Sequence, residues 1–485
     1  MEEKTLKEKT FSGLSWSAAD KLFQQLFVFV SGVILARILD KEYFGLMGTL
    51  AIFTGMANLL QDSGFGTALI RKKNTNHDDY KTVFYTNVLI SIIIYAILFF
   101  TAPIISRYYE QPILTPLARF LFLSFLFNSF AVVQNAILLK EVNYKLTTKI
   151  NLTAVIISYS ISLLLAFLGF GVWALATQIV LLSFCRTCGF WIWGRWKLSG
   201  TFSMEILKEL YSFSSKLIVA NLINSFSTNI PQNIIAKQYS FGITGLYNQA
   251  NKLYNTVTDF LTGTIFSVPF TVLSQIEENE RLKNAIRKFV RARAFLFFPL
   301  FMGMILVAEP FIVSLLEKKW EDAVPILQLL SFGGLFYSLD STNNDLLRVK
   351  GKSGTILILD MIRNLFLFIT IIATIVFKYD YLYLVAGLSA SYIIRYAAGS
   401  YCTAKAINYR GGELIKDSLP YAITSIVAIA CGYSLKYIID NNLLLLICQI
   451  ISVSLIYITI LYVTGSVLVR EAIKIALDKT PLRRK

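Results

Sequence analysis

The chain has 485 residues, of which 55% are hydrophobic and only 16% are charged, and its formal net charge is +16. Apolar runs of about 20 residues recur from one end to the other, each long enough to cross the roughly 30 Å hydrocarbon core of a bilayer. This composition excludes a soluble protein of two or three domains and predicts a polytopic membrane protein.

The positive charge lies in short connections rather than along one basic face, which excludes nucleic acid as a partner. The N-terminal segment MEEKTLKEKTFSG is polar and has no small-residue cleavage site, so we expect no cleavable signal peptide. Cys185 and Cys188 form a CxxC pair, but without a second pair of ligands they do not indicate a zinc site. No metal or other cofactor is expected.

Fourteen apolar segments are predicted to span the membrane as helices, because backbone groups in lipid must bond internally and runs this long exceed barrel strands. In chain order they are 14–36, 44–66, 82–102, 113–137, 150–168, 172–194, 212–236, 241–270, 294–316, 323–347, 354–377, 381–405, 418–438 and 443–467. The connections between them are short. We therefore expect an all-α protein with no soluble catalytic domain, and not an enzyme.

Lysine and arginine are distributed unevenly between the two sets of connections. One set, which begins with the N-terminal tail and ends with the segment after Val469, holds 31 of the 46 basic residues, and the alternate set holds eight. By the positive-inside rule, both termini are cytoplasmic and the number of spans is even. The other seven basic residues fall inside spans: Lys21, Arg119, Arg186, Lys216, Lys252, Arg363 and Arg395.

A weak internal repeat relates spans two and eight. When the sequence is shifted by 197 residues, Phe44 and Gly45 fall on Phe241 and Gly242. Because the repeat begins after six spans, its two copies have the same orientation, as in transporters built from parallel repeats. We expect an N-terminal lobe (1–196, spans 1–6), a C-terminal lobe (197–410, spans 7–12) and two extra helices with a cytoplasmic tail (411–485).

Three spans carry polar stripes that are too extensive for lipid contact. In span eight, five polar residues recur at steps of four, three, four and three, which places them on one helical face. The stripes are Asn248, Lys252, Asn255, Asp259 and Thr262 in span eight, Asn221, Asn224, Thr228 and Gln232 in span seven, and Ser17, Asp20, Lys21, Gln24 and Ser31 in span one. Because a charge near the bilayer centre costs about 2.5–3.5 kcal/mol, these faces should meet each other or water and mark a pathway.

Other charges in the spans also have structural interpretations. Arg119 lies near the outer end of span four, where its long side chain can snorkel to the interface. Arg363 lies one turn from Asp360, so an ion pair and a ligand contact both fit. Asp62 and Asp259 lie near glycines and fit hinge or capping roles as well as a pathway.

Two segments resemble the motifs of the polysaccharide-transporter, or Wzx-type, flippases. They are residues 35–73, LARILDKEYFGLMGTLAIFTGMANLLQDSGFGTALIRKK, and residues 245–279, GLYNQANKLYNTVTDFLTGTIFSVPFTVLSQIEEN. Motif order, span number and repeat offset all agree, so the resemblance covers essentially the whole chain. It implies membership of the superfamily shared with peptidoglycan lipid flippases and multidrug antiporters, in which two lobes flank a central alternating-access cavity.

The resemblance also implies a function and a site. Such proteins move an undecaprenyl-pyrophosphate-linked oligosaccharide (a repeat unit of O-antigen, capsule or exopolysaccharide) across the bacterial cytoplasmic membrane, with the lipid tail staying in the bilayer. The expected substrate-binding residues are Lys21, Lys216, Lys252, Arg363, Arg395, Asn248 and Asn255. Asp20, Asp62 and Asp259 are candidates for coupling to H+ or Na+, because a carboxylate in a low dielectric can titrate near neutral pH.

Two other functions compete with a flippase. A multidrug cation antiporter of the same fold would need unpaired acids and aromatic residues, whereas basic residues are at least as numerous as acids inside these spans. A membrane-bound polysaccharide polymerase or ligase would need a sizeable outer loop with catalytic residues, and every predicted outer loop is short. The sign of the potential in the cavity separates the first alternative from the flippase.

Overall fold

The computed structural model describes residues 23–62, 65–72, 74–194, 196, 198–208, 229–260, 273, 276, 278–407, 411–466 and 468. Every regular element within these ranges is helical, and no strand occurs in them. The predicted all-α class is therefore confirmed. The chain forms two compact units, Met1–Gly245 and Leu246–Lys485, and each is described by itself.

Within the described residues, the first unit contains nine helices of its own, a short helical segment at 204–208 and the start of a longer helix. The helices are α1 (Phe23–Ile38), α2 (Lys41–Thr49), α3 (Ala51–Asp62), α4 (Phe65–Arg71), α5 (His77–Tyr109), α6 (Leu114–Lys140), α7 (Tyr144–Phe167) and α8 (Val172–Trp193). They are followed by α9 (229–238) and the first turn of α10 (Phe241–Phe260). Its main core lies where α5, α6 and α8 pack together around Leu117, Leu121, Phe122 and Phe125.

The second unit contains the rest of α10 and six further helices. These are α11 (Asn279–Leu316), α12 (Val324–Val349), α13 (Ser353–Val376), α14 (Tyr381–Ile407), α15 (Gly411–Ser434) and α16 (Asn442–Val463), with 3-10 turns at Lys318–Ala323 and Leu435–Tyr437. Helix α12 packs against both α11 and α14, while α15 and α16 pack on α11. The exposed side chains of α13 are largely apolar, for example Leu357, Met361 and Leu365, as expected of a surface that faces lipid.

Nine helices in the described ranges are long and apolar enough to cross a membrane, and the bent pair α1–α2 would make a tenth if it were one span. Predicted spans seven and eight extend into 209–228 and 261–272, outside the described residues. Helix α14 has 27 residues, but its tyrosines, serines and Arg395 make it less apolar than the nine. The count of fourteen spans therefore remains a prediction.

The second predicted span, 44–66, is not one continuous helix. Its residues are distributed over α2, α3 and α4, with a break at Leu50 between the first two. Helices α1 and α2 meet at an angle of 120°. Hydropathy could not reveal the break at Leu50, because this residue is as apolar as the helices on either side.

Glycines bring α2 into direct backbone contact with the start of α10. A Cβ atom at Gly45 would overlap the carbonyl of Phe241, and one at Gly245 would overlap the carbonyl of Lys41. Nearby, the Tyr109 hydroxyl at the end of α5 donates to Asn233 Oδ1 on α9 at 2.8 Å. Helices from the beginning and the middle of the chain are thus joined within one compact unit.

Two prolines leave backbone carbonyls that other helices satisfy. Proline has no N–H, so the carbonyl four residues earlier loses its intrahelical donor. For Pro103 in α5 that carbonyl is Phe99 O, which accepts from Arg119 Nε at 3.3 Å while the guanidinium lies 4.0 Å from the Phe99 ring centroid. For Pro299 in α11 the carbonyl is Phe295 O, which accepts from the Tyr457 hydroxyl at 2.8 Å. Arg119 thus satisfies the carbonyl that Pro103 leaves without its intrahelical donor.

Candidate functional site

The polar stripe of α10 occupies the helix face that is not packed. Tyr247, Ala250 and Tyr254 are buried and define the packed face, at the spacing of successive helical turns. Lys252 and Asn255 are exposed, and Asn248 is half-buried on the same side. The three residues singled out from the sequence therefore share one accessible face of α10.

The packed face of α10 is fixed by close contact with α12. At Gly334 on α12, a Cβ atom would overlap the ring of Tyr254, so the ring fits only because this position is glycine. The same ring lies 6.3 Å from that of Phe301 on α11. Because Tyr254 anchors one side of α10, the rotation of this helix is set, and Lys252 is held on the open side.

No acidic side chain in the described part of the chain forms an ion pair with Lys252. Its backbone carbonyl accepts from Thr256 Oγ1 at 2.9 Å, which is a bond within the helix and leaves the ammonium uninvolved. An ammonium in a helix of this kind keeps its charge only beside water or an anion. The position therefore suits an anionic group of a ligand.

The side chains of five expected site residues lie outside the described part of the structure. Asp20, Lys21 and Lys216 lie outside the described residues. Asp62 ends α3, and Asp259 lies in the last turn of α10, but the description does not extend to their side chains.

Arg395, also expected to bind substrate, lies in a buried network of the second unit. Its guanidinium forms an ion pair with Asp340 of α12, donates to Asp360 Oδ1 of α13 at 2.9 Å, and donates to Asn344 Oδ1 of α12 at 2.9 Å. The Arg395 and Asp340 side chains are 6% and 2% exposed. These bonds use the donors with which Arg395 would hold a ligand, so its observed role is to join α12, α13 and α14.

A second layer of polar groups holds Asp340 in place. Asn343 Nδ2 donates to Asp340 Oδ1 at 2.9 Å, and Thr403 Oγ1 of α14 donates to Asn343 Oδ1 at 2.9 Å. A Cβ atom at Gly399 would lie only 2.6 Å from Asp340 Oδ1, so a larger residue there would displace the carboxylate. These contacts therefore hold the Asp340 carboxylate in one position.

The direct hydrogen bonds of Arg363 go to Asn364 rather than to Asp360. Asp360 is bonded to Arg395, while Arg363 Nε and Nη2 donate to Asn364 Oδ1 at 3.2 and 2.9 Å. Its guanidinium carbon lies 5.9 Å from the centre of the Tyr392 ring on α14. Arg363 and Asp360 form no direct salt bridge, but the two charges still interact, so both interpretations of Arg363 stay open.

Two further ionic clusters lie at the basic ends of the helices and were missed in the sequence. Arg293 of α11 donates to Asp345 Oδ2 at 2.9 Å and to Thr342 Oγ1 at 2.7 Å. Asp417 of α15, only 2% exposed, accepts from Arg287 at 2.7 Å and from Arg291 at 2.5 Å. The sequence predicts these arginines in a connection between spans, and no local pattern links them to Asp417.

The open face of α10 presents an ammonium between two amides, which suits an anion with neighbouring hydroxyls. No group of three or more metal-ligating side chains occurs in the part of the chain that the structure describes.

Comparison with known proteins gives one family and several relatives. The model of a family described as "Polysaccharide biosynthesis protein" matches residues 34–325. The lipopolysaccharide biosynthesis protein WzxC of Escherichia coli (strain K12) is 27% identical over 355 residues, which are 72% of this chain and 71% of that protein. The teichuronic acid biosynthesis protein TuaB of Bacillus subtilis (strain 168) is 22% identical over 72% of this chain and 73% of its own. The succinoglycan biosynthesis transport protein ExoT of Rhizobium meliloti (strain 1021) is 24% identical over 67% of each chain.

Two solved structures share the fold. The inward closed conformation of the lipid II flippase MurJ superposes with a TM-score of 0.75 at 18% identity, over 95% of this chain and 100% of the other. An inward-facing multidrug resistance transporter of the MATE family, of the MOP superfamily, gives a TM-score of 0.65 at 16% identity, over 79% and 94%. At these identities the likeness shows the fold alone.

Proposed function

Because the chain belongs to the family of polysaccharide biosynthesis proteins and resembles its Wzx-type members, we propose that it is a flippase for a lipid-linked oligosaccharide. Its substrate would be an undecaprenyl-pyrophosphate-linked repeat unit, moved across the bacterial cytoplasmic membrane by alternating access. The observation that carries this proposal is the open face of α10, where Lys252 lies exposed between Asn248 and Asn255 in an otherwise apolar protein.

The substrate has three chemically different parts, and the proposal gives each a different environment. The polyprenyl tail stays in the bilayer, where the protein offers apolar helix faces. The pyrophosphate binds the ammonium of Lys252, with Lys21 and Lys216 of predicted spans one and seven as further cations. The sugar hydroxyls exchange hydrogen bonds with the amides of Asn248 and Asn255, which both donate and accept.

The proposal includes the architecture that the sequence predicts. The protein would have fourteen spans in two lobes, 1–196 and 197–410, followed by the appended pair 411–485, with both termini cytoplasmic. The uneven distribution of lysine and arginine supports this orientation. Reporter fusions at Lys485 and at Asp440 test it, because a terminus detected outside the cell would reverse the topology.

Ion coupling forms a separate part of the proposal. Asp20, Asp62 and Asp259 are the candidate carboxylates, and H+ or Na+ the candidate ions, because a carboxyl in a low dielectric changes charge when it binds either. Transport that persists when the proton and sodium gradients are collapsed would exclude this part and leave the flippase intact.

The alternative with the same fold is a multidrug antiporter. Its ligand would be a cation, which the open ammonium of Lys252 repels. Among the described residues of the second unit, the buried acids Asp340 and Asp417 are bonded to arginines, so neither is available to a cation. The curated relatives are named for polysaccharide biosynthesis, which also favours the flippase.

The test is genetic. Deletion of the gene should cause a lipid-linked repeat unit to accumulate on the cytoplasmic leaflet, where it is inaccessible to a lectin or a periodate reagent added outside spheroplasts. If the repeat unit reaches the outer leaflet at the normal rate without the protein, the proposed function is wrong.

Substitutions of Lys252 then test the site in the deletion strain. Lys252→Ala and Lys252→Gln should abolish polymer export at normal protein abundance, because neither retains a positive charge. Lys252→Arg should retain partial export, because the charge survives in a different shape. Lys352→Gln, which removes an exposed lysine before α13, is the matched control and should export normally. Normal export by Lys252→Gln would remove this lysine from the site.

A further inference from the structure

Arg363, Tyr337 and Tyr392 form a polar and aromatic cluster near the middle of three membrane-length helices. Arg363 lies midway along α13, which runs from Ser353 to Val376, and the two tyrosines lie midway along α12 and α14. All three residues belong to the second unit. The Tyr337 side chain is 44% exposed, while Arg363 and Tyr392 are half-buried. The cluster is therefore accessible at the depth where a bilayer is least polar.

The two tyrosine rings of the cluster are tilted against each other, with the guanidinium beside one of them. The rings of Tyr337 and Tyr392 have centroids 5.1 Å apart and an interplanar angle of 59°. The guanidinium carbon of Arg363 is 5.9 Å from the Tyr392 centroid. Two aromatic rings and one cation thus border the same small area.

One edge of the Arg363 guanidinium forms hydrogen bonds within its own helix, and the other edge can still bind a ligand. Nε and Nη2 donate to Asn364 Oδ1, the neighbouring side chain on the same helix. A guanidinium has five N–H donors in a planar fork, so the edge formed by Nη1 and the second hydrogen of Nη2 can still bind a carboxylate through two parallel hydrogen bonds. Asn364 fixes the plane of the group and so the direction of that edge.

The surroundings make the cluster rigid and distinguish it from a surface that faces lipid. One turn before Arg363, Asp360 is bonded to Arg395, and Arg395 joins α12 to α14 through Asp340. On other sides of the same helix α13, the exposed side chains are apolar, such as Ile358 and Leu365. A guanidinium and a tyrosine pair have no function against acyl chains, so this part of α13 should face water.

We propose that Arg363, Tyr337 and Tyr392 form a subsite for a carboxylate-bearing sugar of the transported glycan. This proposal rests on the proposed function and adds the class of sugar. The tyrosine rings would pack against the apolar C–H face of the sugar ring, and the open edge of Arg363 would bind the ring carboxylate. The pyrophosphate of the carrier lipid is a second possible anion, but it has no apolar face and would gain nothing from the two rings.

Binding to the purified full-length protein in lipid nanodiscs tests the subsite. The probes are trigalacturonate (acidic), maltotriose (neutral) and inorganic pyrophosphate, each titrated calorimetrically. Wild-type protein should bind trigalacturonate at least about tenfold more tightly than maltotriose. Arg363→Gln should remove that preference while maltotriose binding is kept. Tyr337→Ala should weaken both trisaccharides several-fold, and Tyr337→Phe should change neither, because the ring is retained.

Tyr401→Phe and Tyr401→Ala are the matched controls, since Tyr401 lies on α14 away from the cluster and is also exposed. Both should bind all probes as wild type does. Should Arg363→Gln fail to fold, Tyr337→Ala still tests the subsite, because it alters only a half-exposed ring.

Three results would overturn the subsite: a wild-type protein without preference for trigalacturonate, a preference that survives in Arg363→Gln, or a loss in that variant of pyrophosphate binding alone. The accumulation of lipid-linked repeat units in the deletion strain is read separately. Accumulation combined with any of these three results rejects the subsite and retains the flippase. Normal outer-leaflet delivery in the deletion strain rejects the flippase itself and, with it, the assignment of this cluster to a transported glycan.

Discussion

Removing Asp340 should destabilise the second unit far more than removing Asp360, although both carboxylates bond to Arg395. The Asp340 side chain is 2% exposed, and Arg395 is 6% exposed, so Asp340→Ala leaves a buried guanidinium with an unmatched charge. Breaking a buried ion pair by deleting one partner costs about 3–5 kcal/mol. Because Asp360 and Asn344 still accept from Arg395, we expect a loss of about 3 kcal/mol, near the lower end of that range.

The Asp360 side chain is 40% exposed, so its interaction is screened by solvent, and Asp360→Ala should cost about 1 kcal/mol or less. The assay is unfolding of the purified protein by sodium dodecyl sulfate in mixed micelles, followed by circular dichroism. Asp440→Ala removes an exposed acid outside the network and is the matched control. Replacing Asp340 and Arg395 together by leucine and methionine should recover much of the loss, because no buried charge is then left. Equal effects of Asp340→Ala and Asp360→Ala would refute this account of the network.

Three other substitutions test contacts seen in the structure, each with the same unfolding assay. Gly45→Ala should lower the free energy of unfolding by about 1–3 kcal/mol, because its Cβ overlaps the carbonyl of Phe241; a stable variant would mean that α2 does not lie this close. Tyr457→Phe should cost about 1–3 kcal/mol, because the Phe295 carbonyl loses its donor; a neutral result would mean that the carbonyl finds another partner. Lys237→Ala should change the free energy by less than about 1 kcal/mol, because its ion-pair partner after α5 is 82% exposed; a large loss would assign this pair a structural role.

The positions of the helices could be predicted more closely than their ends. The apolar part of α11 begins near residue 294, where the span was predicted, but the helix begins at Asn279. Hydropathy measures where a segment enters lipid, and a helix can extend beyond that point into water. Here Arg287 and Arg291 prolong α11, and Asp417 of α15 neutralises them. The local sequence of α11 could not predict this partner, because Asp417 lies more than 120 residues further along the chain.

The orientation of α10 could be derived because its pattern is local. Steps of three and four residues place Asn248, Lys252 and Asn255 on one face of any helix that contains them. Which face is packed depends on other helices. The sequence offers Tyr247 and Tyr254 on the opposite side, but the glycine that receives the Tyr254 ring lies on α12, in a different segment.

The roles of the arginines could not be told apart from the sequence, and the reason is physical. Arg363 and Arg395 lie equally deep in apolar segments, and each carries the same cost of insertion, about 2.5–3.5 kcal/mol. A buried acid can offset that cost, and so can water or an anionic ligand. Only the folded structure shows that Asp340 and Asp360 turn towards Arg395, so that Arg363, one turn from Asp360, is left with an amide and an aromatic ring.

The distribution of charges in the second unit determines which kind of ligand it can bind. In the described part of the second unit, the buried acids Asp340 and Asp417 are each bonded to arginine, so neither carboxylate is left unpaired. Lys252 and Arg363 form no salt bridge with an acidic side chain in the described part of the second unit, although the Arg363 charge still interacts with the nearby Asp360 carboxylate. An unmatched positive charge inside apolar helices is tolerated where the compensating charge comes from outside the protein. This distribution of charge supports our proposal that the second unit binds the pyrophosphate of a carrier-linked glycan rather than a cationic drug.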